Sequence, residues 1–177
     1  MNQIVYTERK KFTQKQVQEL FLSVDWVSGE YPERLYKALM HSSTVITAWD
    51  GEQLVGLVRV LDDSEMTAYM HYVLVDPRYH GRGIAGHMVE MVKEKYKEYL
   101  YIEIMPEESK NAAFYQRFGF EIMPDGVAMQ ICNPGKKDKK VASVSKDRCH
   151  CCVCSYLFSF FLRAAEVMMS TQVSSPR

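Results

Sequence analysis

The stretch Met70-His71-Tyr72-Val73-Leu74-Val75-Asp76-Pro77-Arg78-Tyr79-His80-Gly81-Arg82-Gly83-Ile84-Ala85-Gly86-His87-Met88-Val89 constrains this chain more than any other. It reads as strand, loop and helix. Val73, Leu74 and Val75 make a short apolar run. Asp76-Pro77 ends it, because proline brings no N–H to a ladder and drives the residue before it out of helix. Gly81 and Gly83 then permit a tight turn and a close approach of backbone to a ligand. A helix opening at Gly83 or Ile84 aims its unpaired N–H groups and the positive end of its dipole back at the loop. Such a segment cradles an anion, above all a phosphate or pyrophosphate.

Read literally, Gly81-Arg82-Gly83-Ile84-Ala85-Gly86 matches G-x-G-x-x-G, with Glu103 about 20 residues on, as a dinucleotide-binding unit requires. Two features oppose that reading. Residues 76–80 separate Val75 from Gly81, where a dinucleotide turn follows its strand almost at once, and the segments before the loop spell an antiparallel meander rather than a doubly wound sheet. A plain glycine turn with a solvated arginine is a second reading. No Gly-Lys-Ser/Thr follows, which excludes a P-loop hydrolase. Third, Val75-x-Pro77-x-Tyr79-His80-Gly81-Arg82-Gly83-Ile84-Ala85 resembles the acyl-CoA-binding motif of GNAT-superfamily N-acetyltransferases, Q/R-x-x-G-x-G/A after a V-x-P strand end. Asn111-Ala112-Ala113-Phe114-Tyr115-Gln116-Arg117-Phe118-Gly119-Phe120-Glu121 resembles the second signature of the same family. His80 stands where the family usually has Gln or Arg, but backbone amides do most of the phosphate binding in such a loop.

Along the chain, residues 4–6 predict a first strand, and Thr13 caps a helix over 14–23 whose Val17, Leu20, Phe21 and Val24 share one face. Pro32 opens a second helix through residue 40, with Leu35, Leu39 and Tyr36 inward. Residues 44–49 and 53–61 are strands joined at Asp50-Gly51, and 67–75 is the next strand. An amphipathic helix follows over 84–96 on Ile84, Met88, Met91 and Val92, then a strand over 100–104 and a short helix over 111–118 stopped by Gly119. Residues 120–123 and 127–131 predict a closing hairpin about Asp125-Gly126.

The resemblance covers residues 4–132 and implies an α/β (α+β) acyl-CoA N-acyltransferase fold, a mixed and mostly antiparallel sheet flanked by helices. It implies acetyl-CoA as cosubstrate, no metal, and transfer to an amine. Acetyl transfer needs a held donor, a deprotonated amine, a stabilised oxyanion and a proton for the leaving thiolate. On the resemblance, His80, Gly81, Arg82, Gly83, Ile84 and Ala85 hold the pyrophosphate. The strand ending at Val75 splays from the strand at 100–104, so that Val73, Leu74 and Val75 line the donor, with the Val73 N–H at the oxyanion. Tyr115 is then the general acid, with core packing beside Phe114 and Phe118 as its alternative. Asn111 caps its helix, touches the cosubstrate, or both. For the base, His71 competes with Glu103 and with water. Simple alternation puts Tyr69, His71, Val73 and Val75 on one face of their strand, and a near-neutral pKa suits His71 to the task. Trp26, Tyr31 and Tyr36 belong to the helix–loop–helix that covers the acceptor pocket in the family; they touch substrate or fill core.

Charge divides the chain. Residues 1–132 carry 14 Lys+Arg against 19 Asp+Glu, whereas residues 133–177 carry 8 against 3. The acidic body suits a cationic acceptor better than nucleic acid or a membrane surface. Charges from Glu8 to Lys11 interrupt any signal-peptide core, and only Cys132 of the five cysteines lies in the body, so the expected setting is the reducing cytoplasm. Residues 133–177 read as a basic, Cys-rich and poorly ordered appendage. Its Cys149-His150-Cys151-Cys152-Val153-Cys154 is too crowded for the usual separated ligand pairs of zinc. The expected partner is a small-molecule amine, and a homodimer is open. The alternatives are a catalytically silent CoA-binding regulatory module and a protein or peptide N-acetyltransferase.

Overall fold

The computed structural model describes residues 3–106 and 108–131. The Cys149–Cys154 cluster and the rest of the basic appendage lie outside the described residues. The chain divides into two compact units, 1–127 and 128–177, and the sheet with its helices makes up the first.

The short strand β1 (Val5–Thr7) precedes helix α1 (Gln14–Leu22), which opens on a capping box. Thr13 Oγ1 accepts from the Gln16 N–H at 3.2 Å while the Gln16 side chain accepts from the Thr13 N–H at 2.9 Å, so two of the helix's unpaired donors are satisfied. A 3-10 turn over Val27–Glu30 leads to α2 (Pro32–Met40), with proline at its first position. Strands β2 (Thr44–Asp50), β3 (Gln53–Asp62) and β4 (Thr67–Val75) follow, then α3 (Ile84–Lys95), β5 (Tyr101–Ile104) and α4 (Ala112–Gln116). The sheet order is β1-β2-β3-β4-β5, antiparallel except for the parallel pair β4–β5. This is the mixed, mostly antiparallel sheet expected, and its meander before the loop rules out the doubly wound alternative.

Two apolar clusters cover the two faces. On one, Ile46, Ala48, Val58, Val60, Ala68, Met70 and Val75 pack with Ile84, Met88, Val89 and Val92 of α3 and Tyr115 of α4. On the other, Val45, Leu57, Tyr72 and Leu74 pack with Val17, Leu20 and Phe21 of α1 and Leu35 and Leu39 of α2. Burying a side chain such as Leu39 or Met88 contributes about 1.5–3 kcal/mol, so each helix is held chiefly by the face it turns to the sheet.

Three expectations need correction. Tyr69, His71, Val73 and Val75 do not share a face. Arg59 faces Tyr72 and Val60 faces Met70, so β4 carries one extra residue there, a β-bulge at His71 that resets the pleat. Ala68 and Met70 before the bulge and Val73 and Val75 after it belong to the α3 side, while Tyr72 and Leu74 belong to the α1/α2 side. Second, residues 120–131 form no strand. The turn itself is present, closed by the Gly126 N–H donating to the Met123 carbonyl at 3.2 Å. Ile122, Met123 and Val127 are 62–83% exposed, and a two-stranded hairpin that buries no face gains too little to form. Third, Asn111 does not cap α4 with its side chain. A 3-10 turn over Ser109–Asn111 runs straight into the helix, so Asn111 is already helical in backbone, whereas a capping residue needs an extended one.

Candidate active site

The loop after β4 is held in shape by its own side chains. Asp76 is buried and takes the Arg78 N–H at 3.0 Å and the Arg78 Nη2 at 2.6 Å. Hydrogen bonds from Arg78, more than its charge, hold the Asp76 carboxyl below the usual carboxylate range. Its own N–H donates to the Val55 carbonyl at 2.9 Å, which pins the strand end to β3. His80 turns back instead of outward: its Nε2 donates to the Val75 carbonyl at 2.9 Å. The side chain at the motif's first position therefore fixes the loop to the strand it leaves.

Gly81 and Gly83 both stand at φ +76°, a left-handed conformation that costs an L side chain roughly 1–2 kcal/mol. A Cβ added at either would meet nothing within 4 Å, so the cradle opens into free space. Gly83 is the N-cap of α3 and offers no capping side chain. Among the described residues the N–H groups of 81–86 have no carbonyl or side-chain acceptor, whereas His87 already donates to Gly83. Those amides and the positive end of the helix dipole make residues 81–86 a candidate anion site. Arg82 adds positive charge nearby, its guanidinium carbon 4.5 Å from the Tyr79 ring centre. Ile84 is buried and contributes its N–H alone; Ala85 is half-buried.

A notch runs from that cradle along β4. The parallel pairing with β5 ends at Met70 opposite Ile104, so residues 71–75 have no β5 partner. Val73 and Val75 turn their side chains to the α3 cluster there, and Leu74 is 4% exposed in the other cluster, leaving only its backbone for a ligand. Tyr115 joins the same α3-side cluster as Val75, with Phe114 at 4.9 Å and Phe120 at 5.9 Å between ring centres. Burial pushes its phenol up to about 12, and the hydroxyl has no hydrogen bond among the described residues. Gly86 ties the two signatures together, since a Cβ there would stand 2.9 Å from Phe118 Cζ. The third glycine is thus a seat for Phe118, two residues past α4, the helix that carries Tyr115.

The other face holds the base candidates. Arg59 Nη1 donates to His71 Nδ1 at 3.0 Å, which leaves the imidazole proton on Nε2. Withdrawal of the ring from water and, second, the Arg59 charge lower its pKa from 6.5 to about 4. His71 as a residue stays exposed, so the direct contact is the cause that survives solvent access. Glu103 is exposed on β5 in register with Tyr69, hence on this α1/α2 face. Asn111 is exposed at the start of α4. Trp26 and Tyr36 pack against the α1/α2 cluster, Trp26 5.4 Å from the Tyr72 ring and Tyr36 6.0 Å from Phe12, while Tyr31 lies 5.9 Å from the Arg34 guanidinium. Sequence reasoning missed Arg59 and Tyr72, which lie against His71, and Ser28, whose Oγ lies 3.0 Å from the Tyr72 hydroxyl. Nothing local marks them.

Among the described residues no group of three or more His, Cys, Asp or Glu side chains is placed to hold a metal, and no helix is long and apolar enough to cross a membrane. Residues 9–120 match the model of the acetyltransferase (GNAT) family. A GNAT-family acetyltransferase of Streptococcus pneumoniae TIGR4 has 28% identity and a TM-score of 0.65, over 75% of this chain and all of that one. A probable acetyltransferase of methicillin-resistant Staphylococcus aureus, at 21% identity, shares the fold with a TM-score of 0.65 over 74% of this chain and all of its own. GCN5-related N-acetyltransferase 2, chloroplastic, of Arabidopsis thaliana is 33% identical over 84 residues, 44% of this chain, which spans only about a third of that relative (33%). With two signatures on one notch and a family match over most of the described body, the chain belongs to the GNAT acetyltransferase family.

Proposed function

We propose that this protein transfers the acetyl group of acetyl-CoA to a primary amine of a small molecule. One observation carries the reading: the unpaired amides of 81–86 lie at the end of the same strand whose residues 71–75 lack a β5 partner. A single extended ligand, anionic at one end and able to hydrogen-bond a strand edge at the other, fits that continuity. The pyrophosphate of the cosubstrate would be held by the N–H groups of Gly81, Arg82, Gly83, Ile84 and Ala85, and its thioester would lie beside Val73.

The reaction then needs few groups. The amine nitrogen attacks the thioester carbonyl carbon, the C–S bond breaks, the nitrogen loses a proton to a base, and the thiolate takes one from an acid. A phenol with a pKa of about 12 keeps its proton at every working pH, so Tyr115 is a hydrogen-bond donor to the sulfur as its charge develops. The same apolar surroundings raise the basicity of a thiolate beside it, which favours the transfer. His71 is a poor base with a pKa of about 4 and its Nδ1 already engaged; its Nε2–H suits orienting a water or the acceptor. Removal of the amine proton is assigned to Glu103 or to water.

The test is free-thiol release from acetyl-CoA with a panel of amines. Amine-dependent release supports the transferase. CoA binding without release for any amine would leave a silent CoA-binding module, and release only with peptides would replace the small-molecule acceptor.

A further inference from the structure

Arg59 is half-buried on β3, and its charge is not answered. Nε donates to Ser42 Oγ at 2.8 Å, whose own hydroxyl donates to the Ala38 carbonyl, and Nη1 donates to His71 Nδ1 at 3.0 Å. A guanidinium carries five N–H donors, so three remain. Among the described residues no carboxylate stands within ion-pair distance of it. Both of its acceptors are neutral, and the Tyr72 ring lies 5.4 Å from the guanidinium carbon. Burial lowers the Arg59 pKa, which marks a cation drawn out of water without a counter-ion. Such an arrangement is costly in a resting fold and becomes favourable when an anion completes it.

Its place gives the anion a meaning. His71, which Arg59 touches, is the bulge residue at the start of the β4 stretch left unpaired by β5. Arg59 therefore reaches, through His71, the first residue of the stretch that β5 leaves unpaired, on the α1/α2 face. Tyr72, whose hydroxyl lies 3.0 Å from Ser28 Oγ, and the Trp26 ring stand beside it. We propose that Arg59 determines acceptor specificity by binding an anionic group, carboxylate or phosphate, carried on the same small molecule as the reacting amine. The inference rests on the transferase reading and names its substrate class. It reverses the expectation from net charge: the body is acidic as a whole, but the cation at the acceptor side repels polyamines and other cationic amines there.

The experiment compares matched amine pairs in the thiol-release assay, α-amino acids against their carboxamides and an amino-sugar phosphate against the free amino sugar. The protein favours the anionic member by about tenfold or more in kcat/KM, expressed in KM. Arg59→Gln brings the ratio toward one and Arg59→Lys retains part of it. Which pair shows the preference separates carboxylate from phosphate. A wild-type preference for the neutral members, or an equal loss on both members in Arg59→Gln, overturns the proposal and leaves Arg59 as the tie between β3 and Ser42. A second readout needs no turnover: the His71 imidazole resonance, with CoA present, shifts saturably with the anionic amine in wild type and not in Arg59→Gln. If no amine releases thiol, the transferase reading falls while this titration still decides, and the lack of a saturable shift overturns the anion site.

Discussion

The two faces of β4 are made of different materials. On the α3 face the candidate site is backbone: amides of 81–86, two left-handed glycines and an unpaired strand edge, with the Tyr115 phenol sunk among apolar neighbours. On the α1/α2 face the candidate groups are side chains: Arg59, His71, Tyr72, Ser28 and Glu103, drawn from three strands and a turn. A backbone site depends on local conformation, so a short motif encodes it and a single Cβ damages it. A side-chain site depends on register between strands, so no short motif encodes it and its members tolerate exchange at the expense of selectivity.

That contrast orders the expected effects. Tyr115→Phe removes the proton donor while keeping the ring in its cluster, and kcat falls on the order of a hundredfold with acetyl-CoA affinity retained. An unchanged kcat would make Tyr115 core alone. Gly83→Ala forces a side chain into φ +76° and costs roughly 1–2 kcal/mol, about five- to thirtyfold in CoA affinity by calorimetry if the loop relaxes from its binding shape. Gly86→Ala drives a Cβ against the ring tip of Phe118, which must shift, while helix propensity returns about 1 kcal/mol, so denaturant unfolding shows a net loss on the order of 1 kcal/mol and kcat falls more than CoA binding. The smallest effect separates the faces by pH. His71 is neutral in the fold down to about pH 4, so the pH–rate profile shows no limb near 6.5 from it. Its depressed pKa means the unfolded chain binds more protons between about 6.5 and 4, and stability falls as pH drops through that window. Solvent access to the residue keeps that loss small. Arg59→Gln lifts the His71 pKa toward its ordinary value, a change read by imidazole NMR.

The same division explains what could be read ahead of the structure. Helix starts at Thr13 and Pro32, the Asp50-Gly51 turn and the glycine loop are local signals, and each element formed where its residues predicted. The notch followed from resemblance and appears as the early end of the β4–β5 ladder. The bulge at His71 was invisible, because one extra residue in β4 is defined by its partner strand and not by its own sequence. With the bulge unseen, His71 fell on the wrong face and Arg59 went unnoticed. The hairpin over 120–131 failed for a related reason: alternation and Asp125-Gly126 specify a turn, but strands need a face to bury.

The central claim is that backbone amides at the start of α3 and along the open edge of β4 hold the donor. Its most direct test is a titration of the isotope-labelled protein with CoA, followed through the amide resonances. The account predicts saturable shifts concentrated at Gly81, Arg82, Gly83, Ile84 and Ala85 and at residues 71–75, with NAD producing none at equal concentration. Saturable CoA binding that leaves the 81–86 amides unmoved would contradict it.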